Sequence, residues 1–180
     1  MSDFARPPRY DAADARAYVD HMLALVGDRD PLALLGAAPD RLEAAVAGLS
    51  ETDARRAPEP GAWSVLQILR HLADSEVVYG YRLRLIVAAD RTAIPGYDQD
   101  AWANALHYHR GTVAEAINDL AAGRRMTLGF LRALDAGRWD RVGLHSERGE
   151  ESVRRIATLL AAHDLAHQGQ IERARTAIGG

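Results

Sequence analysis

The sequence contains no cysteine and no lysine. The absence of cysteine excludes disulfide bonds, thiolate metal ligands and a cysteine nucleophile. The absence of lysine excludes Schiff-base chemistry on a lysine side chain. A metal ion bound by this protein would therefore have to use imidazole and carboxylate ligands, with water completing its coordination.

Long apolar runs and an excess of basic residues are missing as well. No stretch approaches the ~20 apolar residues of a transmembrane helix, and the first residues lack the apolar region of a signal peptide. The net charge is −3, whereas nucleic-acid-binding surfaces usually carry a concentrated basic patch. We therefore expect a cytoplasmic protein that binds neither membranes nor nucleic acids.

The composition is that of an ordinary globular domain. Hydrophobic residues make up 48% of the 180 residues, and charged residues make up 26%. A chain of this length can bury one sizeable core. We expect a single domain over residues 1–180, with residues 1–10 flexible.

Apolar residues recur at helical spacing in four long segments, at residues 11–26, 64–89, 112–137 and 151–178. Two of these segments open with a capping box, in which two side chains three positions apart each bind a free backbone N–H. Ser64 and Gln67 form one such pair, and Thr112 and Glu115 form the other. Gly137 is the expected C-terminal glycine of the third segment.

Shorter elements are expected between these helices. Residues 30–60 contain four prolines, which argue against one long helix there, so we expect short helices over 39–48 and 51–57. Another short helix is expected over 98–105. Residues 139–149 are typical of a loop, and no segment alternates convincingly as a strand does. The prediction is an all-α fold, a four-helix bundle with a long crossover connection and short extra helices.

The candidate metal ligands begin with His163 and His167 in the last helix. Residues four apart share one helix face, so two imidazoles at this spacing can bind one ion. Within about 80° of His163 on the same face lie Gln170 and a set of apolar residues, namely Ile156, Leu159, Leu160, Ile171 and Ala174. Both histidines should therefore point into the core, where a polar group is costly unless it is paired or ligated.

The second long helix carries four polar residues on or beside its apolar stripe, which are His71, Ser75, Glu76 and Arg82. If this helix packs against the last one, His71 could become a third nitrogen ligand and leave positions open for water or substrate. Glu76 lies in the middle of the stripe. It could belong to the site or form a buried salt bridge with Arg82 or Arg124.

The other histidines and Asp74 are expected to lie outside the site. His107 and His109 are two residues apart near a helix end, which does not place them on one helix face, so we expect both at the surface. Asp74 should face solvent on the opposite side of its helix. His21 has no partner in the sequence, and His145 falls in the predicted loop, a kind of segment that often borders functional sites.

Two segments resemble the DinB/YfiT-like superfamily, WSVLQILRHLADSE at residues 63–76 and HDLAHQGQI at residues 163–171. Residues 79–84 and 96–102 are also similar to this superfamily. The resemblance extends over roughly residues 42–178, and its motifs occur in the family's order and spacing. It implies a four-helix bundle with a divalent metal ion, usually nickel or zinc, bound by three histidines.

The resemblance assigns the three metal ligands to His71, His163 and His167. It also implies frequent homodimerisation. The sequence supports a dimer independently, because apolar residues surround the second long helix on more than one face, at Val77, Val78, Tyr79, Tyr81 and Leu85.

The resemblance further implies an enzyme, because the family includes metal-dependent hydrolases and thiol-dependent transferases or isomerases. In a hydrolase the ion would activate water, and Glu76 or Gln170 would position the water or the substrate. In a transferase the ion would bind a low-molecular-weight thiol as the thiolate, and Arg82 or another arginine of the pocket could hold a carboxylate by two hydrogen bonds. We expect one of these two activities on a small molecule, with thiol transfer favoured over hydrolysis.

Two other kinds of protein remain open from the sequence. The first is a non-catalytic metal-binding bundle of a stress response, which side chains would close around the ion. The second is a helical interaction module with buried histidines and no metal. A catalytic site differs from both because it needs room beside the open metal positions.

Overall fold

The computed structural model describes residues 12–179, with side chains from residue 17 onward. The predicted flexible segment, residues 1–10, lies outside the described residues. The elements in chain order are α1 (Ala12–Val26), α2 (Pro31–Val46), α3 (Glu51–Ala54), α4 (Val65–Ala88), β1 (Thr92–Ile94), α5 (Gln99–Ala105), α6 (Val113–Arg132), α7 (Ala136–Trp139), β2 (Val142–His145), β3 (Gly149–Ser152) and α8 (Val153–Ala177). No helix within residues 12–179 is long and apolar enough to cross a membrane.

Four helices pack into a bundle. Helix α4 packs against α6 and α8, and α2 packs against the same two helices, so the order around the bundle is α2, α6, α4, α8. Helices α2 and α4 therefore lie diagonally, and the chain between them is a crossover connection. Helix α1 packs against α8 and adds Val19, Met22 and Val26 to the core. The predicted four-helix bundle is confirmed, but its first member is α2, and residues 11–26, which were expected to supply that helix, form α1 outside the ring.

Helix α2 corrects the prediction that prolines break residues 30–60 into short helices. Asp30 caps its first turn, Pro31 stands at its first position, and the helix continues through Pro39 to Val46. Pro39 has no N–H and cannot donate to the carbonyl of Leu35. That carbonyl instead accepts a hydrogen bond of 3.0 Å from Nη1 of Arg124 in α6. A tertiary contact thus satisfies the group that the proline leaves free.

The helix starts agree with the predicted capping boxes, and one predicted helix end is wrong. Both capping boxes are present, at Ser64 before α4 and at Thr112 before α6. Helix α6 ends at Arg132 rather than at Gly137. The carboxylate of Asp135 accepts from the backbone N–H of Arg138 at 3.0 Å and begins the separate helix α7. Aspartate competes for backbone N–H groups in this way at helix starts.

A small sheet replaces the loop predicted at residues 139–149. Strand β2 pairs in parallel with β1 and antiparallel with β3, and His145 lies opposite Ile94. These strands have three or four residues, too few for an alternating pattern to stand out in the sequence. A Cβ at Gly143 would lie 2.8 Å from the side chain of Ile86, so glycine allows β2 to lie directly against α4.

Candidate metal centre

The three predicted ligands come together in the core between α4 and α8. His71 extends from α4, and His163 and His167 extend from successive turns of α8. One nitrogen of each ring lies within 4.8 Å of the other two. The Nε2 atoms of His71 and His163 are 3.1 Å apart, and all three side chains are buried. This is the only such group of potential metal ligands that residues 12–179 form.

The donor set fits one divalent metal ion. Two imidazole nitrogens bound at about 2.1 Å to one ion are about 2.9 to 3.4 Å apart for angles between 90° and tetrahedral. The 3.1 Å between Nε2 of His71 and Nε2 of His163 falls inside this range. Burial lowers the pKa of His71 and of His163 well below the usual value for histidine, and it also lowers the pKa of His167. All three rings are therefore neutral near pH 7, as metal ligation requires.

Gln170 contacts the third predicted ligand, His167. Its Oε1 accepts a hydrogen bond of 2.7 Å from Nδ1 of His167, one turn earlier in α8. With the proton held on Nδ1, the lone pair of Nε2 is free to point at an ion. The contact is of the kind that fixes the orientation of a histidine ligand, and the catalytic role of Gln170 stays a prediction.

Replacing Gln170 by alanine is expected to lower zinc affinity about 10- to 100-fold, because outer-shell partners of this kind fix the tautomer and the ring orientation. Competition with a chelator of known affinity measures the change. The matched control is Gln168→Ala, because Gln168 lies on the same helix but binds Arg41 and Glu172. Equal zinc affinity in the Gln170→Ala and Gln168→Ala proteins would contradict this role.

Two hydroxyl groups lie beside the histidines. The Oγ atom of Ser75 is 3.4 Å from Nε2 of His71 and 3.1 Å from the hydroxyl of Tyr97. Burial raises the pKa of Tyr97 to about 12, so this hydroxyl stays protonated at neutral pH. Sequence reasoning missed Tyr97 as a site residue, although the segment at residues 96–102 contributed to the family resemblance. Its position depends on the link from β1 to α5, which has no periodic pattern.

Glu76 is part of a buried ionic network and not of the histidine group. Its Oε2 accepts a hydrogen bond of 2.7 Å from Nε of Arg124. Of the two alternatives for Glu76, the structure therefore shows the buried salt bridge, and its partner is Arg124 rather than Arg82. Asp164 accepts from Nη1 and Nη2 of the same arginine at 2.6 and 3.2 Å. Since Leu35 of α2 also accepts from it, Arg124 of α6 contacts α2, α4 and α8 at once.

Arg82 lies near the histidines but faces the backbone. Its Nε and Nη2 donate to the carbonyl of Pro95 at 3.2 and 2.6 Å. The guanidinium carbon lies 5.7 Å from the ring centre of Tyr79 and 5.9 Å from that of Tyr97. The ring of Tyr79 is in turn 6.1 Å from that of His163. Tyr79 is therefore a common neighbour of Arg82 and the histidine group.

The structure also places the residues that were expected outside the site. His21, His107 and His109 are exposed. Asp74 is only partly exposed and accepts a hydrogen bond of 2.6 Å from the hydroxyl of Tyr108, so the prediction that it is simply solvated is wrong. His145 lies in strand β2 and is 4% exposed, which corrects its placement in a loop.

The ring of four helices and the three converging imidazoles define a class, helix-bundle proteins with a histidine-only metal centre. The sequence model of the DinB superfamily matches residues 34–171. The chain belongs to the DinB superfamily.

The chain is similar to several known proteins and to solved structures. A protein of Oceanobacillus iheyensis that carries the name of a metal-dependent hydrolase, OB0413, is 28% identical over 74% of this chain and 76% of its own. One of Halalkalibacterium halodurans with the same kind of name, BH0277, is 22% identical over 76% and 79%. The solved structure of YfiT from Bacillus subtilis, described as a probable metal-dependent hydrolase with an unusual four-helix bundle topology, has a TM-score of 0.75 and 19% identity, covering 97% of this chain and 94% of YfiT.

Proposed function

We propose that the protein is a hydrolase of a small molecule that depends on a divalent metal ion, nickel or zinc. The observation that carries the proposal is the convergence of three buried, neutral imidazoles beside the hydroxyls of Ser75 and Tyr97. Three protein ligands are typical of catalytic zinc sites, whereas structural sites are closed by four. The names of the relatives support hydrolysis.

The residues of the chain have separate tasks in this proposal. His71, His163 and His167 would hold the ion, which would supply a water nucleophile at neutral pH and polarise a carbonyl group. Because its pKa is about 12, Tyr97 keeps its proton and can donate it to Oγ of Ser75. In that orientation the proton of Ser75 would be free for a substrate oxygen beside Nε2 of His71.

Thiol-dependent transfer is the second candidate. With no cysteine in the chain, the thiol would have to come from a low-molecular-weight cofactor, and three neutral imidazoles leave a divalent ion its full charge for a thiolate. A non-catalytic metal-binding bundle is the remaining alternative. It predicts metal binding with no turnover of any substrate.

The test compares these functions in one set of assays. Protein purified without a nickel column is loaded with zinc or nickel and incubated with activated esters and electrophiles, with and without small thiols. Hydrolysis predicts ester cleavage that needs no thiol and is lost in His167→Ala. Turnover that requires a thiol would favour transfer, and metal binding without turnover would favour the non-catalytic bundle.

We also propose that the protein is a homodimer that associates through the outer face of α4 and α6. Val77 is 62% exposed, Tyr81 is 57% exposed and Met126 is 68% exposed, and the first two lie one turn apart on α4. Large apolar side chains that stay this exposed on two neighbouring helices are typical of protein interfaces.

The substitution Tyr81→Glu is expected to convert the dimer to a monomer at micromolar concentration, because it would place two charges in a desolvated interface. Light scattering measures the mass in solution. The matched control is Leu106→Glu, at a residue that is 55% exposed but lies after α5. A wild-type protein that is already monomeric would contradict the proposal.

A further inference from the structure

Arg82 is a buried cation without a carboxylate partner among the described residues. It is 3% exposed, and its hydrogen bonds go to the backbone carbonyl of Pro95. The buried salt bridges of residues 12–179 involve Arg124 and Arg148 instead. Burying an unpaired charge is costly, so a guanidinium in this position requires a compensating anion.

His145 offers a buried N–H donor near this cation. Its Nδ1 accepts from the backbone N–H groups of Glu147 and Arg148 at 3.1 and 3.4 Å. Burial, with the charges of Arg148 and Arg82, lowers the pKa of His145 to about 4, so the ring is neutral and carries its proton on Nε2. Nε2 is buried and has no hydrogen-bond partner within the described part of the chain. An unmatched buried donor costs about 1 to 3 kcal/mol unless an acceptor is supplied.

His145 and Arg82 both lie at the C-terminal end of β1, His145 through strand pairing and Arg82 through a hydrogen bond from α4. His145 lies opposite Ile94 across the parallel pair, and the next residue, Pro95, holds the guanidinium of Arg82. Two residues further along, the hydroxyl of Tyr97 contacts Ser75 beside the histidine group. Arg82 also shares Tyr79 and Tyr97 as neighbours with the candidate metal centre, which places the unpaired cation on the side of the fold where the histidines lie.

The local charge selects the kind of anion. Arg148 is neutralised by a two-fold hydrogen bond with Glu151, at 2.7 and 2.8 Å. Since His145 is neutral, Arg82 contributes one uncompensated positive charge. A carboxylate balances this charge, whereas a phosphate dianion would leave a second negative charge buried without a partner.

We propose that Arg82 and His145 form a subsite that binds one carboxylate group of the substrate beside the metal centre. The carboxylate accepts a hydrogen bond from Nε2–H of His145 and another from Nη1 of Arg82, which no acceptor among residues 17–179 engages. The assignment to substrate rests on the proposed function. The substrate class is then a small carboxylic acid derivative with a second group that reacts at the ion.

Acetate and the neutral isostere acetamide test the subsite on the full-length, zinc-loaded protein. NMR of protein labelled with ¹⁵N in histidine follows the Nε2–H signal of His145. Acetate is expected to shift this signal and to bind at least tenfold more tightly than acetamide. Equal binding of both probes, or an unmoved His145 signal at saturating acetate, would overturn the proposal without any variant.

Variants separate the subsite from the ion itself. Arg82→Gln and His145→Phe are each expected to weaken acetate binding at least tenfold while zinc content stays at the wild-type level. Acetate binding that persists in both variants and disappears on chelation of the zinc would show that the anion binds at the ion, and would overturn the proposal. Circular dichroism checks the fold of each variant. If a variant is unfolded, the proposal is decided by the NMR titration of the wild-type protein alone.

The binding assay is independent of turnover. If acetate binding depends on Arg82 and no ester is cleaved, the subsite stands and the proposed hydrolase activity fails. If esters are cleaved but acetate does not bind through Arg82, the subsite alone fails. When both hold, an ester with a free carboxylate is expected to have a kcat/KM at least tenfold above that of its uncharged analogue, and this preference should disappear in Arg82→Gln.

Discussion

The His163→Ala protein is expected to lose most of its affinity for a divalent ion, by a factor of about 100 or more. Loss of a residue that only supports a ligand already lowers metal affinity about 10- to 100-fold. His163 is itself a predicted ligand, and its Nε2 lies 3.1 Å from Nε2 of His71. Two imidazoles and water would remain, and neither cysteine nor lysine is present to replace the lost ligand. His71→Ala and His167→Ala should behave in the same way.

Calorimetric titration with zinc after removal of metal by a chelator measures this loss, and mass spectrometry gives the metal content of each protein. The control variant His109→Ala removes an exposed histidine and should bind one ion per chain with wild-type affinity. The melting temperature offers a second readout, because a ligand that binds only the folded state stabilises it. One tightly bound ion per chain in His163→Ala would show that the site has been assigned to the wrong residues.

Arg124→Met is expected to destabilise the protein by about 3 to 5 kcal/mol, the usual cost of removing one partner from a buried ionic network. The side chain of Arg124 is 2% exposed, and those of Glu76 and Asp164 are each 1% exposed. The substitution leaves two carboxylates in the core without a counter-ion. It also leaves the carbonyl of Leu35 without the donor that replaces the N–H missing at Pro39.

Urea denaturation of the metal-free proteins measures the free energy of unfolding. The triple variant Arg124→Met, Glu76→Leu, Asp164→Leu should recover at least half of the loss, because it removes all three charges of this network together. Arg138→Met is the control, since it breaks the exposed pair of Arg138 with Asp135 and should change stability by less than about 0.5 kcal/mol. A loss in Arg124→Met no larger than in the control would refute this account.

The parts of the site that depend on the period of a single helix could be predicted from the sequence. His163 and His167 lie one turn apart on the apolar face of α8, and that face is buried as expected, including Ile156 and Ile171. The capping box at Ser64 correctly located the start of α4 and therefore the position of His71 on its buried side. The helical period predicts which face of the helix such a side chain lies on, because a helix is regular over many residues.

The parts that depend on contacts distant in sequence could not be predicted. Helix α2 continues through Pro39 because Arg124, far along the chain, supplies the missing donor. His145 and Tyr97 reach the site through a parallel strand pair that is only three residues long. Neither contact leaves a local pattern, because each is stabilised by partners that only the folded bundle brings near.

The single guanidinium that joins all four bundle helices also has a consequence for cooperativity. Arg124 of α6 binds Leu35 in α2, Glu76 in α4 and Asp164 in α8. A partly unfolded species that detaches one of these helices leaves a charge or a carbonyl in the remaining core without its partner. Such intermediates are raised in free energy relative to both end states, so we expect one thermal transition in which the calorimetric and van't Hoff enthalpies agree.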